Sequence, residues 1–181
     1  PFGAEIKALC CWEMENYLAD GDALEQCRAE IKMQPARQTQ DVYQELLGHC
    51  QALVPHAAIN AVCHQHRAKG LSDGYTRRFA TRAEVEAGIQ TEKLAGLPAA
   101  AAADYRMHLS HVDAFDLPGA TPAARTRALL RRIHGKALLD RFSAAHSINI
   151  DLKGLLANRI LEMARVPAEI TLFVDQIASS N

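Results

Sequence analysis

Residues 41–55 read DVYQELLGHCQALVP. Val42, Leu46, Cys50 and Leu53 recur every three or four positions within them. That spacing places all four side chains on one face of an α-helix, ready to be buried together. The helix is expected to stop before Pro55, because proline lacks an N–H and disfavours helical backbone in the residue before it. Pro55 then suits the first turn of a fourth helix, where its missing N–H would have no partner anyway. That helix carries Ile59, Val62, Cys63 and His66 and should end at Gly70.

The same period continues on both sides. Upstream, Ile6, Leu9, Cys10, Met14, Tyr17 and Leu18 make a first helix that stops at Asp20-Gly21. Asp22, with Glu25 three residues on, has the form of a capping box opening a second helix. Leu24, Cys27 and Ile31 are its apolar stripe, and Gln34-Pro35 ends it. Downstream, residues 70–80 (GLSDGYTRRFA) are the longest expected loop. Thr81 and Glu84 form another capping box, ahead of Val85, Ile89 and Leu94, and Gly96-Leu97-Pro98 closes that helix. Residues 99–112 are helical by propensity, and residues 113–119 form a turn holding Phe115, Leu117 and Pro118. Thr121-Pro122 starts the longest expected helix, with Leu129, Leu130, Ile133, Leu138 and Phe142 on its apolar side. Asp151 caps a helix bearing Leu152, Leu155, Leu156, Ile160 and Leu161, and Pro167 opens the last, with Ile170, Phe173, Val174 and Ile177. Period-two runs of β-branched residues are missing, and no repeat of 30–45 residues is visible. The expectation is an all-α domain of about nine helices, irregular, lobed in outline if anything, and not a solenoid.

Bulk properties agree. A chain of 181 residues suits one domain spanning residues 1–181, and at that size roughly 70% of the unfolded surface can be buried without staples. Hydrophobic residues make up 49% and charged residues 23%, which argues against disorder. Lys and Arg number 20 against 21 Asp and Glu, so no overall field draws in nucleic acid or anionic lipid. The longest apolar run, residues 97–103, is far short of the ~20 residues a membrane span needs. Neither nucleic acid nor a membrane span is expected as a partner. The opening residue, Pro1, suggests a segment excised from a longer protein. The five cysteines are an odd number and lie mostly on apolar helix faces, so a reducing compartment is expected.

Each candidate for chemistry has a plainer reading. Cys63-His64-Gln65-His66, with His49, Cys50 and His56, is the densest set of metal-capable side chains. Zinc wants two paired spacings, and only Cys63 and His66 supply one, so core thiols and surface histidines are the better reading and no metal or cofactor is expected. Cys10 and Cys11 lie mid-helix beside Glu13 and Glu15, whose charge raises a thiol pKa and works against nucleophilicity. Phosphate-loop, dinucleotide, zincin and nucleophile-elbow motifs do not occur. No catalytic residue is assigned. Arg125, Arg127, Arg131, Arg132 and Lys136 crowd one helix and Arg77, Arg78 and Arg82 form a second group, both readable as solvated faces. Residues 105–111 (YRMHLSH) lie just before the turn holding Phe115 and Leu117. Such a helix end either closes the core beneath the turn or offers a small apolar knob to another protein.

Helices throughout, the length, no zinc or nucleophile motif, and the His108-Leu109 pair together resemble the XopL-type E3 ubiquitin ligase domains found at the C-terminus of Xanthomonas type III effectors. The resemblance covers the whole chain. It implies a helical ligase unlike RING, U-box or HECT domains, acting with a host ubiquitin-conjugating enzyme (E2) and ubiquitin and forming no covalent ubiquitin–E3 intermediate. It implies E2 binding by His108 and Leu109, substrate choice in an upstream module, and delivery by a type III system into a plant cell. The other large bacterial ligase class uses a C-x-D nucleophile, from which Cys11-Trp12-Glu13 departs. Beside the ligase stand two further readings: a non-catalytic helical interaction module of a bacterial multidomain protein, and an enzyme with an unrecognised helical site.

Overall fold

A computed structural model describes residues 13–65, 83–84, 87 and 99–179, apart from the side chains of Cys63 and residues 99–102. It is all-helical, with eight helices and no strand among the described residues. These are α1 (Glu15–Leu18), α2 (Gly21–Lys32), α3 (Thr39–Gln65), α4 (Ala99–Asp113), α5 (Pro122–Leu129), α6 (Gly135–Ala145), α7 (Leu152–Glu162) and α8 (Ala168–Ser179). The stripe from Ile6 to Cys10, Cys10 and Cys11, the 70–80 loop, the Arg77, Arg78 and Arg82 group, and the end of a helix at Gly70 all lie outside the described residues. So do Thr81, Val85, Ile89, Leu94 and the stop at residues 96–98.

The long helix α3 is the axis of the molecule. It packs most extensively on α4 and α5 and also touches α2 and α6, while α2 packs on α7 and α1 on both α6 and α7. A solenoid element would meet only its sequence neighbours. Val42, Leu46, Cys50 and Leu53, the expected stripe, are buried in one cluster with Leu24, Leu129, Leu138, Phe142 and Leu156.

Pro55 does not end a helix. α3 runs through it as one 27-residue element. An interior proline costs about 3 kcal/mol, and the carbonyl left without its partner is that of Gln51, an exposed residue. Leu53, Val54, Ala57, Ala58 and Ile59 around the proline are all buried. At roughly 1.5–3 kcal/mol for each large side chain, that burial outweighs the defect.

The capping signals held where one residue could serve. Thr121 accepts from Ala124 N–H at 3.3 Å to start α5, and Asp151 accepts from Lys153 N–H at 3.0 Å to start α7. At α2 the cap is Asp20, not Asp22. Asp20 Oδ1 accepts from the N–H groups of Asp22 and Ala23, both at 3.0 Å. Asp22 instead accepts from the Thr39 hydroxyl at 2.6 Å. The single long helix expected from Pro122 onward is two, broken over residues 130–134. The break is held by Asn16, a buried residue of α1. Its amide nitrogen donates to the Leu130 carbonyl and, at 2.9 Å, to that of Ile133, while its oxygen accepts from Gly135 N–H at 2.8 Å. A side chain at Gly135 would run into Asn16, which explains the glycine there.

Candidate functional site

His108 and Leu109 sit in the last turns of α4, just ahead of the 114–121 connection. His108 Nε2 donates to Gln65 Oε1 at 3.1 Å, and Gln65 Nε2 donates to Asp104 at 3.1 Å, which ties α4 to the end of α3. His111 meets the His108 ring edge-on at 6.5 Å. Leu109 is half-buried and packs against the core cluster, as does Phe115. The apolar groups that this end shows to solvent are instead Met107, 44% exposed, and Leu117, 47% exposed. Leu109 and Phe115 thus face the core, while Met107 and Leu117 face out.

The other candidates are placed as follows. Cys50 is fully buried, and burial drives its thiol well above the ordinary range. Cys27 is buried too and its thiol is raised for the same reason. His49 Nε2 lies 3.4 Å from Glu45, and His56 Nδ1 lies 3.3 Å from the Ala52 carbonyl. No group of three or more metal-capable side chains gathers among the described residues. None of the described helices is long and apolar enough to cross a membrane.

The arginines that crowd residues 125–132 are divided among separate tasks. Arg125 forms a two-pronged pair with Asp116, Nε to Oδ1 at 2.6 Å and an Nη2 bond to Oδ2 at 2.8 Å, and its donated bonds hold the Asp116 carboxyl below the usual range. Arg132 lies over the Phe115 ring at 4.4 Å from its centre. Arg127 and Arg131 point to neither. They line a cleft of about 530 Å³ together with Tyr17, Asp20, Tyr43 and Arg165. Residues 166–169 complete the wall, and Tyr17 donates across it to Glu169 at 2.8 Å.

Two polar constellations had no sequence signal. In the first, His134 Nδ1 donates to Glu13 Oε1 at 2.7 Å, and His134 Nε2 accepts from the Asn60 amide at 2.8 Å. The carboxylate–imidazole pair has the form of a catalytic dyad, but the nitrogen that would receive a proton is occupied by Asn60. Glu13 also accepts from Lys136 N–H at 3.2 Å, so it helps Asn16 cap α6. In the second, Glu25 is buried between two arginines. It accepts from Arg28 Nη2 at 2.6 Å, Arg37 N–H at 2.7 Å and Arg37 Nη2 at 2.8 Å. Burial alone would raise this carboxyl; the hydrogen bonds from Arg28 and Arg37 outweigh it and bring it from an ordinary 4.5 to about 2. Arg37 continues to Glu45 at 2.7 Å, and Glu45 to His146 at 2.9 Å. The chain of charges locks the 33–38 linker onto α2, α3 and α6, and none of its members lines the cleft beside Arg127 and Arg131.

Comparison of the chain with family models, with curated proteins and with solved structures returns no match.

Proposed function

We propose that this chain is a scaffold-type ubiquitin ligase domain. It docks a host E2 carrying ubiquitin through the end of α4 and the turn behind it, and promotes transfer to a lysine without bonding ubiquitin itself. One observation carries the reading: His108 and Leu109 lie in the segment where Met107 and Leu117 are both exposed among polar residues. In this reading Leu109 braces the surface from beneath, and Met107 and Leu117 make the apolar contact. A mechanism based on positioning is further supported by Cys27 and Cys50, whose burial makes them poor thiolate nucleophiles. Holding donor and acceptor in place can lower a barrier by roughly 7–11 kcal/mol in ideal cases. The setting is the reducing interior of a plant cell reached by type III delivery, with substrate choice in another module.

The test is incubation with E1, a panel of E2s, ubiquitin and ATP. Ubiquitin chains should form, and Met107→Glu and Leu117→Glu, both at exposed positions, should weaken them at least tenfold with the melting curve unchanged. Leu109→Glu should also abolish chains, but through the core, and its melt will show it. Failure to form chains with any E2, or ubiquitin trapped as a thioester on the chain, overturns the proposal.

A second reading, a non-catalytic helical interaction module, is favoured by α8. Its Leu172, Val174 and Ile177 are 62%, 55% and 51% exposed. The same assay separates the two, since this reading gives no chains.

A further inference from the structure

The cleft between α1, α5 and residues 165–169 joins an apolar floor to a charged rim. Its floor is apolar and aromatic: Tyr43 is buried, and Leu130 and Ala19 are buried beside it. Its rim carries three guanidinium groups. Arg165 is committed, paired with Asp22 and lying 3.4 Å from Asp20. Its carboxylate partners are committed in turn. Asp20 Oδ1 is the α2 cap, and Asp22 is held below the usual range, against the opposing effect of burial, by the Thr39 hydroxyl and Arg165. The remaining acid, Glu169, accepts from Tyr17.

Arg127 and Arg131 are different. They lie four residues apart, Arg127 in the last turn of α5 and Arg131 just past its end; both are exposed, and neither guanidinium forms an ion pair or hydrogen bond with the described residues. Arg127 is near enough to Asp22 to add to its stabilisation, yet does not bond it. Two guanidiniums lining one cleft can close on the oxygens of one anion with charge-assisted bonds. At about 530 Å³ the cleft is far larger than a bare oxyanion needs and lies within the range for small-molecule sites. An anionic head on an organic body fits both halves, the head on the arginines and the body on the floor.

We propose that this cleft binds a small organic anion, with its phosphate or carboxylate group clasped by Arg127 and Arg131 and its apolar part against Tyr43 and Leu130. The site is independent of the ligase reading and would stand if that reading fell.

Isothermal titration of the whole chain with phenyl phosphate, benzoate and inorganic phosphate, in buffer with 150 mM sodium chloride, tests it. Saturable one-to-one binding of phenyl phosphate or benzoate is expected, tighter than that of inorganic phosphate because the ring adds contact. Whichever of the two binds more tightly identifies the head group. Replacing both arginines (R127A with R131A) should weaken binding roughly tenfold or more, the scale of one lost charge-assisted hydrogen bond. Both residues are exposed, so the variant should melt as the parent does, and Arg106→Ala, on another exposed face, should bind as the parent does. No saturable heat with any of the three anions overturns the proposal. So does an affinity that survives the double replacement, or one lost equally in R106A, which would mark diffuse attraction to charge.

Discussion

Replacing Glu25 with glutamine is the sharpest probe of what holds the 33–38 linker down. Glu25 is only 3% exposed and faces donors on every side, Arg28 Nε and Nη2 and the backbone and guanidinium of Arg37. Glutamine keeps the shape but turns one acceptor oxygen into an NH2 group that must face those donors. It also leaves the Arg28 charge, itself buried, without its counter-charge. Breaking a buried pair from one side costs about 3–5 kcal/mol. The carboxyl titration gives a similar figure. Lowering its pKa from 4.5 to about 2 corresponds to roughly 3 kcal/mol of stability. Because the folded value is the depressed one, that stability is fully present above pH about 4.5 and is lost as the pH falls through about 2. Urea unfolding followed by circular dichroism at pH 7, 4.5, 3 and 2.5 measures it, and taking the difference between parent and E25Q cancels the lowered carboxyls outside this network, Glu15, Asp22 and Asp116. A gap of about 3 kcal/mol at pH 7 that narrows below pH 4.5 is expected. A gap under about 1 kcal/mol, or one that stays constant from pH 7 to 2.5, refutes the reasoning.

Two further outcomes follow from the packing. Gly135→Ala should destabilise the fold by about 1–3 kcal/mol through collision with Asn16; Asn16→Ala, which strands the Leu130 and Ile133 carbonyls, should cost a similar amount, and the double variant less than the two together. Denaturation midpoints of the three variants check this, and full additivity would contradict it. Cys27 and Cys50 should resist a thiol reagent at pH 8 in the native protein and react once urea is added, read by mass mapping of the labelled peptides; prompt labelling of either would contradict the burial assigned to them.

The sequence was legible wherever a signal is local. Thr121, Asp151 and Pro167 marked helix starts, because a cap needs only residues two or three places along. It misled where two local signals competed or where a distant contact decided. Asp20 and Asp22 could both cap α2, and only Thr39 and Arg165, brought in by the fold, show why Asp22 is occupied elsewhere. The apolar period runs unbroken from Leu129 to Leu138, so nothing in it marks the bend that Asn16 imposes from over a hundred residues away. His134-Gly135 was the one available hint. Pro55 looked like a stop because its penalty is local and its compensation, burial on both sides, is not. Of the candidate site, the location of His108 and Leu109 at a helix end was readable. Which of the neighbouring apolar groups turns outward was not, since Met107, Leu109 and Leu117 are equivalent as letters.

The first turn of α6 is completed by Glu13 and Asn16, acceptors more than a hundred positions earlier in the chain. A fragment trimmed to begin after residue 16 would therefore keep every apolar residue of the 135–145 segment and still carry a frayed end there. Shortened versions made for crystallisation or for mapping should respect that join, and a loss of binding in such a truncation says as much about this remote clasp as about any surface it was meant to remove.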